Sequence, residues 1–266
     1  MLNSTIFNLA ALAALIPASL VHLRGHSGRD GVYWLVLLVA VVGSLSWAIA
    51  QLGDSWHTGL SLATWMAISA SLVVFLAVTL LTTQAWRLTP LLLPYLILLG
   101  IIATVWSQAP EKPLPTAVPW AWMGVHIGLS ILTFALLTIA AVAGLAVVLQ
   151  ERALKRKRLS GLTKILPSIT DGEALQLRLL AAGETVLGAG LLTGLATRYM
   201  SDANLFALDH KTFLSTLCFI VIAILLVAHR RVGVRGRRAG SYTLVAYLLL
   251  TLAYLGVKFV TDVLLS

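Results

Sequence analysis

The chain has 266 residues, of which 59% are hydrophobic and 11% charged, and its formal charge is +9. No soluble domain of this size buries so much apolar sequence, which excludes a water-soluble globular protein. The basic excess lies in the short segments between apolar runs rather than along one stripe, which argues against nucleic-acid binding.

Eight apolar runs follow one another at 2–21, 32–52, 59–86, 88–106, 119–149, 175–196, 212–228 and 242–265. About 20 apolar residues cross a hydrocarbon core of roughly 30 Å. A backbone in lipid must satisfy its own hydrogen bonds, so each run is predicted to be a helix. The expected fold is therefore all-α, a polytopic membrane bundle of about eight transmembrane helices in one integral-membrane domain, 1–266. The first run has no basic segment before it and carries its charges after it, as expected of a retained helix rather than a cleaved signal. Cys218 is the only cysteine, which excludes an internal disulfide, a CxxC pair and a c-type haem attachment motif.

Sidedness follows from the basic residues. With the N-terminus outside, the inner segments collect Arg24, Arg29, Arg87, Arg152, Lys155, Arg156, Lys157, Arg158, Lys164, Arg178, Arg230, Arg231, Arg235, Arg237 and Arg238, which is 15 of the 19 Lys and Arg. Only Lys112, Arg198, Lys211 and Lys258 remain outside, so the positive-inside rule selects N-out and C-out. Two connections read as long. The outer one, 107–118, carries Pro110, Pro113 and Pro115, and Pro119 is placed at the first position of the fifth helix. The inner one, 150–174, holds the KRKR run at 155–158, a topology determinant suited to anionic membrane lipid.

All six histidines border apolar runs: His22, His26 and His229 on the inner side, His57, His126 and His210 on the outer. Imidazole is a common metal ligand, so both groups are candidates for a site. On the fifth helix, at 100° per residue, Trp122, Met123, His126, Ser130 and Thr133 form one stripe, with Gly124 and Gly128 nearly opposite. The glycine face is expected to pack while the stripe faces a flat, apolar, metal-centred cofactor or a neighbouring carbonyl. His210 and His229 bracket the seventh helix about 28 Å apart, too far to share one metal. Arginines follow His229, which suits a clamp for carboxylates as well as positive-inside sorting. His22 is a candidate partner of His229, and His57 or His210 of His126. In the sixth run, Gly183, Gly190 and Gly194 form a small-residue packing ridge, and Glu184 is expected to hydrogen-bond a neighbouring helix. Metalloprotease, nucleotide-loop and hydrolase-elbow motifs are absent from the sequence, so an enzyme with its own catalytic centre is not expected.

The stretches VHIGLSILTFALLTIAAVAGLAVVLQERALK at 125–155, LRLLAAGETVLGAGLLTG at 177–194 and DHKTFLSTLCFIVIAILLVAHRRVGVRGRR at 209–238 resemble the cytochrome c assembly protein family. That group includes CcsA, CcmC and HemX, and the likeness is greatest to its small eight-helix YpjD/HemX-like branch. It covers most of 120–260; the first four spans match only in hydrophobic layout. The resemblance implies a bacterial inner-membrane protein that binds haem non-covalently, as b-type haem, and holds or passes it. His126 matches the outer haem-ligating histidine of the family, and His229 the inner one. Of the family's tryptophan-rich segment only Asp209, Lys211 and Thr212 survive, in LDHKTFL at 208–214, so the segment that presents haem outside lacks its tryptophans. With Trp122, His210 and His22 added from their placement along the chain, the candidate cofactor-binding residues are His126, His229, His210, His22 and Trp122, with His126 and His229 on the metal. Implied partners are haem, membrane lipid and other cytochrome assembly or tetrapyrrole-synthesis proteins. The alternatives are a HemX-like membrane regulator of tetrapyrrole synthesis and a small-molecule or ion transporter.

Overall fold

The computed structural model describes residues 2–24, 28–53, 57–108, 112–113, 119–158, 160–202 and 210–260. Its long helices are α1 (Leu2–Leu20), α2 (Gly31–Gly53), α3 (Leu60–Leu81), α4 (Thr89–Val105), α5 (Trp120–Lys155), α7 (Ile169–Asp202), α8 (His210–Val232) and α9 (Gly236–Thr251). A one-turn helix, α6 (Gly161–Ile165), separates α5 from α7, and α9 runs on through a π-helical stretch, Leu252–Gly256, to a last turn, Val257–Phe259. Among the described residues, seven stretches are long and apolar enough to cross a membrane, and Thr5–Leu20 is a shorter apolar helix near the start of the chain. The chain is an all-α polytopic membrane bundle. Among the described residues the strand pairing is one two-residue ribbon, His57–Thr58 against Lys112–Pro113.

Helix ends depart from the sequence reading where polar caps outweigh hydropathy. The inner connection expected over 150–174 is largely helical, because α5 continues to Lys155 and α7 begins at Ile169. Between them Ser160 and Thr163 form a reciprocal capping box. The Gln150 side-chain amide donates to the carbonyls of Thr163, Leu166 and Pro167, at 2.8, 3.3 and 3.2 Å. Pro119 is the N-cap of α5, one residue before the position expected for it.

The centre of the bundle is α5, whose middle is buried from Ile131 to Val148 on most positions and which packs on α3, α7 and α9. Small residues set its closest crossing. A Cβ on Gly240 of α9 would lie 2.7 Å from the Gly144 carbonyl oxygen of α5, so only glycine fits there. Several polar side chains inside the bundle pair across helices. Asn8 Oδ1 accepts from the indoles of Trp47 (3.0 Å) and Trp65 (2.5 Å), and Gln176 donates to Thr243 Oγ1 at 2.6 Å. The Tyr95, Tyr247 and Thr138 hydroxyls form a chain at 2.6 and 2.9 Å that ties α4, α9 and α5 together.

The connections sort into two sets. The ribbon joins the α2–α3 connection to the α4–α5 connection, both assigned outside by charge. On the other side, the Arg237 backbone N–H at the start of α9 donates to Glu151 Oε1 near the end of α5, at 2.8 Å. A carboxylate is favourable at a helix N-terminus. Gly236 beside it has φ +58°, the left-handed region that favours glycine, and a methyl there would push the Glu151 carboxylate aside.

Candidate functional site

His126 sits in the second turn of α5, half-buried, and it faces α7 rather than open space. Its Nδ1 lies 3.1 Å from Thr193 Oγ1. The single Thr193 hydroxyl hydrogen is directed to the Gly190 carbonyl at 3.0 Å, so Thr193 oxygen accepts and His126 Nδ1 carries the proton. The lone pair is therefore on Nε2. Gly194 makes the room: a Cβ there would stand 2.9 Å from His126 Cε1. The glycine ridge of α7 is the packing face against α5, with Gly183 against Leu137, Gly190 near Leu129 and Gly194 against His126.

This reverses the expected roles of the two faces of α5. A Cβ on Gly124 or Gly128 would meet nothing within 4 Å, so the glycine face is bare and the histidine face packs. The physical reason is that the small residues needed for close approach are supplied by α7, leaving α5 to contribute the larger side chains. Trp122, one turn before His126, is half-buried, and its indole N–H is fully buried without a hydrogen-bond partner. That group is a donor looking for an acceptor.

His229 lies in the last turn of α8, next to the turn that leads to α9. Its Nδ1 is 2.9 Å from the Val234 carbonyl oxygen, which can only accept, so Nδ1 again carries the proton and Nε2 the lone pair. Gly233, at φ +71°, lets the chain reverse and bring that carbonyl back. Glu173 Oε1 of α7 is 3.9 Å from the same nitrogen. Arg230 and Arg231 follow, both exposed. His126 and His229 thus share one arrangement, with Nδ1–H committed to oxygen and Nε2 left as donor of an electron pair.

The remaining candidates stand apart. His22 follows α1, which packs on α2 and α4, whereas His229 is on α8, which packs on α7 and α9; the structure does not bring the expected pair together. His22 Nδ1 is buried and unpartnered. His210 is exposed at the first residue of α8, and the His57 backbone is in the ribbon. His26 and Asp209 lie outside the described residues. Glu184, expected to hydrogen-bond a neighbour, has both carboxyl oxygens buried with no partner. Gly194 packs as its ridge position predicts, whereas Thr193 and Val234 carry no signal in the sequence: GLLTG indicates packing alone, and nothing in it reports that Thr193 receives an imidazole.

Comparison with known proteins agrees with this layout. The family model described as "Cytochrome C assembly protein" matches residues 31–265, which includes the first-half spans α2 to α4. An "Uncharacterized 28.8 kDa protein in nifR3-like 5'region" of Azospirillum brasilense is 51% identical over 271 residues, spanning 100% of both chains. "Inner membrane protein YpjD" of Escherichia coli K12 is 27% identical over 252 residues, 94% of this chain and 93% of that one. "Protein HemX" of Brevibacillus brevis is 24% identical over 163 residues, 60% of each. No solved structure matches significantly. With a family model matching residues 31–265, from α2 past the end of α9, the chain belongs to the cytochrome c assembly protein family.

Proposed function

We propose that the chain is a haem-handling protein of the bacterial inner membrane, with His126 as an iron ligand near the outer face and His229 near the inner one. The observation that carries this reading is the shared geometry of the two imidazoles, each with Nδ1 within hydrogen-bond distance of an oxygen, an arrangement that leaves Nε2 as the ligating nitrogen. Metal-binding histidines are oriented in this way, because the outer hydrogen bond sets the tautomer and raises the basicity of the ligating nitrogen. Haem supplies an iron centre, a broad apolar ring and two carboxylates. The unpartnered Trp122 indole N–H beside His126 suits one such carboxylate. The exposed guanidinium groups of Arg230 and Arg231 beside His229 suit another.

Charge places the two histidines at opposite faces of a core about 30 Å thick, so they serve two sites rather than one iron. The chain holds or passes haem and does not itself turn it over. A relative named as an inner membrane protein supports the location. The test is the visible spectrum of purified protein reconstituted with haem. A haem absorption band that His126→Ala largely removes, with helicity unchanged, is expected. No band in the folded parent, or the same band in the variant, rules the reading out.

A second reading, regulation of a cytosolic tetrapyrrole enzyme, draws on the ordered inner segment. There the exposed Lys155, Arg156, Lys157 and Arg158 adjoin the Ser160–Thr163 capping box. Co-purification of such an enzyme, lost when the four basic residues become neutral, distinguishes it.

A further inference from the structure

One acidic side chain lies inside the spanning part of the bundle with nothing to hold it. Glu184 stands midway along the span Ile169–Met200 of α7. Both of its carboxyl oxygens are fully buried, with no hydrogen-bond partner among the described residues. Between Arg178 and Arg198 it is the one Asp, Glu, Lys or Arg of the chain.

No countercharge reaches it. Arg178 is exposed, six residues earlier on the same helix, which is about 9 Å along the axis and roughly 120° around it. The helices packed against α7 are α5, α8 and α9. Asp, Glu, Lys and Arg are absent from α5 between Trp120 and Gln150, from α8 between Thr212 and Ala228, and from α9 between Ala239 and Thr251. The titratable side chains of those stretches are His126, Cys218, Tyr242 and Tyr247. His126 is held at Thr193, nine residues beyond Glu184, and Tyr247 is bonded to Tyr95 and Thr138. Tyr242 is exposed. That leaves the Cys218 thiol of α8, which is within electrostatic reach of Glu184. It gives its hydrogen to the Ala246 carbonyl at 3.2 Å, so it donates nothing to the carboxyl.

A carboxylate here would be a bare charge in the hydrocarbon layer, without a donor or a cation. A bound proton removes that charge, and in a low-dielectric interior neutralisation is the usual outcome for an unpaired acid. The surroundings let such a proton exchange. On one side Gly183 meets Leu137 of α5, and on the other Gly188 meets the Phe219 ring of α8. Among the described spans α8 is the least buried, so the wall that it adds is a thinly packed one.

We propose that Glu184 is a reversible proton-binding site at the centre of the membrane, in the seam between α7 and α8. The ligand is a proton from water, bound as the carboxylate becomes a carboxylic acid and returned when the acid ionises. Intramembrane acids of this kind belong to proton-handling sites. The site does not rest on haem binding at His126 or His229.

The test is infrared spectroscopy of the full chain in lipid nanodiscs near neutral pH, in water and in heavy water. The carbonyl stretching band of a protonated carboxylic acid is expected. Isotope labelling of the glutamate carboxyl carbon should shift it, heavy water should shift it, and Glu184→Gln should remove it. Glutamine is the neutral isostere of the acid, so that variant should keep parental helicity. A triple variant, Glu111→Gln, Glu151→Gln and Glu173→Gln, should retain the band, which assigns it even if Glu184→Gln fails to fold. Any of four results overturns the proposal: no such band in the folded parent; the same band in folded Glu184→Gln; its loss in the folded triple variant; or a band that heavy water does not shift, which marks a sealed structural acid.

Discussion

At His126 one hydroxyl decides what the imidazole offers. Thr193 gives its hydrogen to the Gly190 carbonyl and receives the Nδ1 proton, so the ring is held by a chain of two hydrogen bonds. Thr193→Val keeps the shape of the side chain and removes the acceptor. Haem affinity is expected to fall about 10- to 100-fold, the usual cost of losing an outer-shell partner, with the protein still folded. Titration of haem into parent and variant measures this, and equal affinities would refute the role of Thr193. The sequence placed His126 on a polar stripe of α5 but not against Thr193. Their hydrogen bond joins residues 67 positions apart, and helical periodicity reports only on neighbours within one helix.

Between elements, glycine is the controlling residue, and its position on the partner helix matters more than its presence. Gly194→Ala puts a methyl group against His126 Cε1, the far end of a rotatable side chain. The ring can swing away, so the expected outcome is folded protein with reduced haem occupancy, read from the visible spectrum. Gly240→Ala is different, because its methyl meets the Gly144 backbone carbonyl, which cannot rotate aside. A loss of about 1–3 kcal/mol is expected from such overpacking, measured as a lower thermal midpoint in detergent. Gly124→Ala, on the bare face of α5, should change neither quantity. The motifs GVHIG and GLLTG look equally able to pack when read as sequence. Only the choice of facing helix separates them, since α7 brings its ridge to α5 while Gly124 and Gly128 meet no neighbour.

For the whole molecule, the consequence is a division between two faces. In a Cys218→Ser background, Lys112→Cys should react with an impermeant thiol reagent outside intact cells, and Lys157→Cys only after the membrane is opened. The opposite pattern would invert the side assigned to each histidine. With sidedness established, His229→Ala should lower haem arriving at the outer site in cells yet leave His126 able to take haem added from outside. If His229→Ala abolishes that external binding as fully as His126→Ala does, in folded protein, the two histidines do not form separate sites. The two faces are also built differently: a short ribbon joins outer connections, whereas the Ser160–Thr163 capping box and the Glu151–Arg237 contact order the inner ones. The helical class and the succession of apolar spans were legible in the sequence alone, because bilayer thickness acts on stretches contiguous in the chain. Which face of α5 packs and which oxygen holds His126 were decided by tertiary structure, because each depends on side chains from segments far apart in sequence meeting at one place.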